Sequence, residues 1–168
     1  VVKEGGKGDY GDPAAVHYKP KSAPDSEYSE DVPTAAGDYT VRATFAATEH
    51  YETLYSTADF SIAQKPVVLQ WSNTAFEYDG ESHAPYAIAT DLVGEDDCKV
   101  SVDGAASDAG AHTAYAIALD NPNYRLPEET GCGFAISQKM VGLSWGETSF
   151  EYNGGAQAPS AEATGLVD

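Results

Sequence analysis

Basic residues are scarce: the 168-residue chain has nine Lys and Arg against 27 Asp and Glu, a formal net charge of −18. A field this negative repels phosphate backbones and anionic lipid, which argues against nucleic acid and membrane surfaces as partners. Its ordinary role is solubility. Apolar runs are short. None approaches the ~18 to 20 residues that a membrane span needs, and no signal peptide or sorting sequence is seen. Because the chain begins at Val1 without Met and stops inside a repeated unit, it is expected to be a piece of a longer protein whose targeting signals lie outside it.

Cysteine is nearly absent as well. Cys98 and Cys132 are the two in the chain, and neither stands in a CxxC or Cys/His spacing that would point to a metal. A disulfide closing a loop of 132 − 98 = 34 residues, or two free thiols, are the readings left. Such a bond contributes on the order of 3 to 4 kcal/mol on chain-entropy grounds and implies an oxidising location. Catalytic signatures are missing: there is no GxSxG, HExxH, glycine-rich phosphate loop or DxDxDG calcium loop. Adjacent acids such as Glu95-Asp96-Asp97 are what a solvated loop of so acidic a chain contains. No catalytic, cofactor-binding or metal-ligating residue is assigned.

What the chain does have is a tandem repeat. WSNTAFEYDGESHAP from Trp71 to Pro85 returns as WGETSFEYNGGAQAP from Trp145 to Pro159, and FSIAQK from Phe60 returns as FAISQK from Phe134, each at an offset of 74 residues. Residues 140 to 168 aligned on 66 to 94 give 15 identities in 29 positions. The repeat divides the chain into an N-terminal unit (1–65), a full unit (66–139) and the opening of a third (140–168). The four histidines, His17, His50, His83 and His112, fall at different phases of the repeat, so none is expected to be catalytic.

Within the full unit, apolar residues alternate in short runs: Val67, Leu69, Trp71; Phe76, Tyr78; Val100, Val102; Tyr115, Ile117, Leu119; Phe134, Ile136. Period two is strand spacing, and Asp79-Gly80, Asp103-Gly104 and Asn121-Pro122-Asn123 between the runs are turn signals. About seven strands result, the count of a small β-sandwich. The alternative, a β-grasp-like unit, requires residues 87–98 to be helical. Trp71, Phe76, Val102, Ile117, Phe134 and Ile136 are expected to be largely buried.

In the N-terminal unit, Tyr39, Val41, Ala43 and Phe45 share a face. Offset 74 maps them onto Thr113, Tyr115, Ile117 and Leu119, whereas Gly37 and Gly110 align at 73. Because a one-residue slip turns a strand inside out, the larger apolar face is taken as inward, with a bulge or deletion near Gly110. The first thirty residues admit two registers, one placing Val2, Glu4 and Gly6 and the other Tyr10-Gly11-Asp12 at the aromatic turn. Residues 140–168 alone would leave Trp145, Phe150 and Tyr152 exposed. They either complete the N-terminal unit of another molecule by strand addition or pack on the full unit.

Tyrosine is plentiful, 11 of 168 residues. Tyr10, Tyr18, Tyr28, Tyr51, Tyr55 and Tyr86 are candidates for a contact surface, although half-exposed strand faces are the favoured account of them. Trp71 and Trp145, periodic with Leu69 and Leu143, read as core rather than as sugar platforms.

These elements resemble the bacterial Ig-like repeat modules of large surface proteins, in particular the MBG and YDG type repeats. The likeness rests on Phe76-Glu77-Tyr78-Asp79-Gly80 with Pro85, on Phe150-Glu151-Tyr152-Asn153-Gly154 with Pro159, on Trp71, Trp145 and the closing strand at Phe134, and on Asn121-Pro122-Asn123-Tyr124. The N-terminal unit departs from it, since Glu49-His50-Tyr51 keeps only the tyrosine. The resemblance implies an all-β chain of tandem small Ig-like sandwiches, extracellular, at a cell surface or cell wall. There it would serve as a non-enzymatic stalk whose partners are neighbouring repeats; short junctions at Gln64-Lys65-Pro66 and Gln138-Lys139-Met140 suit a semi-rigid array. It names no ligand. Two alternatives are an adhesin module that binds host glycan or protein and a non-catalytic module of a large secreted enzyme. The extracellular setting makes the Cys98–Cys132 disulfide the expectation. An internal isopeptide, which some surface sandwiches contain, would have to use Lys99.

Overall fold

The computed structural model describes residues 15–167, so both N-terminal registers considered above, at Val2–Gly6 and Tyr10–Asp12, lie outside the described residues. Its strands are β1 (Ala15–Pro20), β2 (Gly37–Phe45), β3 (Leu54–Ile62), β4 (Lys65–Pro66), β5 (Val68–Ser72), β6 (Ala75–Glu77) and β7 (Tyr86–Thr90). They continue with β8 (Val100–Asp103), β9 (Gly110–Leu119), β10 (Tyr124–Arg125), β11 (Gly131–Ser137), β12 (Gly142–Trp145) and β13 (Ala161–Thr164). The protein is all-β. Apart from the single 3₁₀ turn at Asp25–Glu27, no helix occurs among the described residues, and residues 86–90 are strand, which removes the helix a β-grasp unit needs.

The chain forms two compact units: one runs through Pro66 and includes Asn121–Arg125, the other takes Val67–Asp120 and the residues from Leu126 onward. In the second unit, β6, β11, β9 and β8 form a four-stranded sheet in that order, and β5 pairs with β7 in a separate two-stranded sheet. The core lies where they meet. Ala114, Phe134 and Ile136 are buried, and Trp71 from β5 packs on them with Phe76, Tyr78 and Val102. Phe76 meets Phe134 edge-on at 6.0 Å between centroids, the geometry aromatic pairs prefer.

The first unit carries the antiparallel sheet β1–β2–β3, and its ladder gives the relation between the repeats. Arg42 pairs with Thr57 in the first unit and Tyr115 with Gly131 in the second. If β3 is carried onto β11 at offset 74, β2 must go onto β9 at offset 73. Local geometry agrees. Tyr39 stacks on Phe60 at 5.5 Å and donates to the Ala35 carbonyl at 2.9 Å; His112 packs on Phe134 at 5.4 Å and donates to the Asp108 carbonyl at 2.7 Å.

This overturns the expected inward face. At offset 73, Val41 and Ala43 correspond to Ala114 and Ala116, and it is these alanines that are buried, at 0% and 3% exposure. Tyr115 and Ile117 point out and are 51% and 58% exposed. Ile117 is therefore not core, Trp71, Phe76 and Val102 are half-buried, and Phe134 and Ile136 are buried as expected. The one-residue difference falls in the β2–β3 connection, not near Gly110; an irregularity occurs instead in β8, where the register against β9 shifts between Ser101 and Val102.

The residues from 140 on rebuild β5 and β7 at offset 74. Val68↔Thr90 through Trp71↔Ala87 becomes Gly142↔Thr164 through Trp145↔Ala161, in the same register. Among the described residues no second sheet covers this pair. Leu143, Trp145, Phe150 and Tyr152 are all exposed, Trp145 to 63%.

Candidate functional site

The signature turn gives the structure its most defined polar arrangement. After β6, Asp79 Oδ1 accepts from the Glu81 amide at 2.9 Å, closing an Asx turn around Gly80, whose φ of 84° lies in the region that favours glycine. The same oxygen lies 2.8 Å from His83 Nε2, and the His83 ring stacks on Phe76 at 4.5 Å. Bonds from the Glu81 amide and the His83 ring hold the Asp79 carboxyl below the ordinary carboxylate range. Reciprocal backbone bonds at 2.8 and 2.9 Å tie His83 to Ala106.

In the third copy Asn153 Oδ1 accepts from the Gly155 amide at 2.9 Å, and Gly154 has φ 78°. Asp and Asn alternate at this position because either supplies the acceptor. Gln157, at the position of His83, donates to the Glu151 carbonyl at 2.8 Å instead. The signature residues thus serve the turn. Pro85 is buried beside it, and Pro159, Gly154 and Tyr152 are exposed.

Among the clefts on the described surface, two border residues already named. One of about 450 Å³ in the second unit is lined by Tyr78, Gln138, Lys139, Val141, Leu166 and Val167, among others. Val167 sits so close to Gly80 that an added Cβ would approach its Cγ1 to 2.6 Å. The end of the chain therefore packs on the full repeat, though Trp145 does not. The other cleft, about 310 Å³ in the first unit, is bordered by Tyr18, Lys19, Val32, Pro33 and Tyr39.

The cysteines do not form the expected bond: both are free, Cys98 buried and Cys132 half-buried. The ladder explains why. Cys132 lies opposite Ala114, whereas Cys98 precedes Val100, which lies opposite Leu119. Five or more residues of β9 at ~3.3 Å each separate the two levels, beyond the ~7 Å that a disulfide spans.

Lys99 fails the isopeptide requirement, because it is exposed. The buried lysine is Lys19 in β1, which the sequence reading passed over. Its ammonium lies 3.3 Å from Asp25 and 5.4 Å from the centre of the Tyr28 ring, and the Arg42 guanidinium lies 4.0 Å from the same ring. The alternation of Lys19 with Tyr18 along β1 was the available signal, but the ring of Tyr28 reaches it from a loop.

The histidines are dispersed: His17 faces Arg42 across β1 and β2, His50 is in an exposed loop, and His83 and His112 pack on Phe76 and Phe134. Among the described residues no three His, Cys, Asp or Glu side chains gather to hold a metal. Of the candidate surface tyrosines, Tyr51, Tyr55 and Tyr86 are exposed, Tyr18 and Tyr28 are half-buried, and Tyr10 lies outside the described residues. No helix among the described residues is long and apolar enough to cross a membrane. The chain matches no protein-family model, no curated protein and no solved structure.

Proposed function

We propose that the chain is a structural, non-enzymatic segment of tandem Ig-like β-sandwich repeats, acting as a spacer in a surface or secreted protein. The observation that carries this reading is the reuse of one register. The β5–β7 ladder and its turn recur at offset 74, with Trp71, Phe76 and Tyr78 spent on packing in the full repeat and glycine on the turn in both copies. Repeats that reproduce a scaffold without reproducing a polar cluster are what a spacer requires. The strongly acidic surface suits a segment held away from other polyanions.

A spacer must resist extension in discrete steps. Pulling single molecules of the chain from its ends should give an unfolding event that lengthens the tether by about 25 nm, the extended length of a repeat at ~3.4 Å per residue. Smooth extension without such a step would overturn the reading.

A second reading, an adhesin module, is favoured by one feature. Val68, Tyr86 and Ile88 are exposed together on the outer face of the β5–β7 pair. Saturable binding to a glycan array that is lost in Tyr86→Ser would replace the spacer reading with this one.

A further inference from the structure

We propose that the loop Asn121–Arg125 is a lock: the full repeat supplies it to the first unit, and the first unit reaches its full stability only while β9 and β11 are folded. The loop belongs to the first unit, although β9 and β11, on either side of it in sequence, belong to the second. Its flanks are fastened in that second unit. The Lys99 amide donates to Asp120 Oδ1 at 2.6 Å and the Asp120 amide to the Lys99 carbonyl at 3.2 Å; the Thr130 carbonyl accepts from the Ala116 amide at 2.9 Å.

Inside the first unit, each residue of the loop has a use. Asn121 Oδ1 accepts from the Asn123 amide at 3.0 Å and shapes the turn. Pro122 has no amide to satisfy, and its carbonyl accepts from Gln64 Nε2 at 2.9 Å. Asn123 accepts twice, through Oδ1 from the Ala36 amide at 2.9 Å and through its carbonyl from the Lys65 amide at 3.0 Å. Tyr124 and Arg125 then pair with Lys65 and Pro66, and Tyr124 is only 3% exposed.

The seat is a feature of the repeat. Gln64-Lys65 returns as Gln138-Lys139 at offset 74, and Ala36 falls on Ala109 at offset 73. Ala109, Gln138 and Lys139 come together again as part of the lining of the 450 Å³ cleft in the second unit. A chance loop contact would not have its receptor residues gathered a second time.

A loop held at both ends by folded strands meets its seat at a high effective concentration, which is lost when those strands unfold. The coupling runs through the covalent chain and holds for a spacer and an adhesin alike. Because coupling is reciprocal, the seated loop stabilises both units by the same factor.

Amide hydrogen exchange on the whole chain, read by mass spectrometry, tests this. Tyr124→Ala should speed exchange about tenfold, the scale of an ordinary coupling, in β2 and β3 and equally in β9 and β11. Phe134→Ala, in the core of the second unit, should speed exchange in β2 and β3 as well, and should add nothing there once Tyr124→Ala is present. Tyr124 lies outside that core, so its replacement decides the matter even where Phe134→Ala gives no soluble protein. A loop that merely packs on the first unit would show faster exchange in β2 and β3 alone in Tyr124→Ala. That result overturns the proposal, as does unaltered exchange of β2 and β3 in either variant.

Discussion

At the scale of single residues, the inner face of β9 is set by space rather than by hydrophobicity. Trp71 from β5 and Phe134 from the neighbouring strand pack around Ala114, leaving room there only for a small side chain; Ala116 is buried on the same face, and the larger Tyr115 and Ile117 face outward. Ala114→Leu should cost about 2 kcal/mol by overpacking, whereas Ile117→Ser should stay within ~0.5 kcal/mol of the parent. Urea denaturation measures both; the opposite ranking would reinstate Tyr115 and Ile117 as core. The alternation of β9 was legible in the sequence. Its parity was not, because the face richer in large apolar side chains is the exposed one. The cysteines repeat the lesson, since proximity to strand ends says nothing of the level at which the strands pair. Without reductant, Cys132 should be alkylated readily and the buried Cys98 only slowly, with two labels per chain after unfolding. An intact mass two hydrogens lighter and no labelling would restore the disulfide.

At the scale of the element, the aromatic turn was the most legible feature, because Asp-Gly and Asn-Gly carry their mechanism in the residue types. Its electrostatics required the structure: His83 lies on Asp79 with its backbone held by Ala106, in the loop between β8 and β9. With the Asp79 carboxyl held down by the Glu81 amide and His83, the folded state keeps this group ionised at a pH where the unfolded chain protonates it. The stabilisation is complete above the unfolded value of about 4 and is lost as pH falls through the lower folded value. Asp79→Asn preserves the acceptor for the turn, as Asn153 does in the third copy, but does not titrate. Melting temperatures followed by circular dichroism should fall less steeply below pH 4 in Asp79→Asn than in the parent. Identical acid limbs would mean that the carboxylate form contributes nothing beyond its oxygen.

At the scale of the whole molecule, the repeat boundary read from sequence falls after Lys65 and the first compact unit runs through Pro66, but the two divisions diverge afterwards. The loop Asn121–Arg125 belongs to the first unit. There Asn123 accepts from the Ala36 amide at 2.9 Å and Tyr124 pairs with Lys65 in a parallel bridge. Period finding cannot register such an exchange, because the segment is periodic in sequence while its partners lie one unit back. The residues from 140 on show the converse. They are in phase with the repeat, yet of 140–167 only Val167 is half-buried and the rest are exposed, and the core at Ala114, Phe134 and Ile136 draws on nothing past Ile136. Removing 140–168 should therefore leave the unfolding of that core cooperative and lower its stability by no more than about 1 kcal/mol, the scale of a single apolar contact such as Val167 on Gly80. Trp71, then the only tryptophan left, reports the transition through its fluorescence. Loss of cooperative unfolding, or a drop of several kcal/mol, would mean that the hairpin is an integral layer of the second unit rather than a separate face built on the same plan.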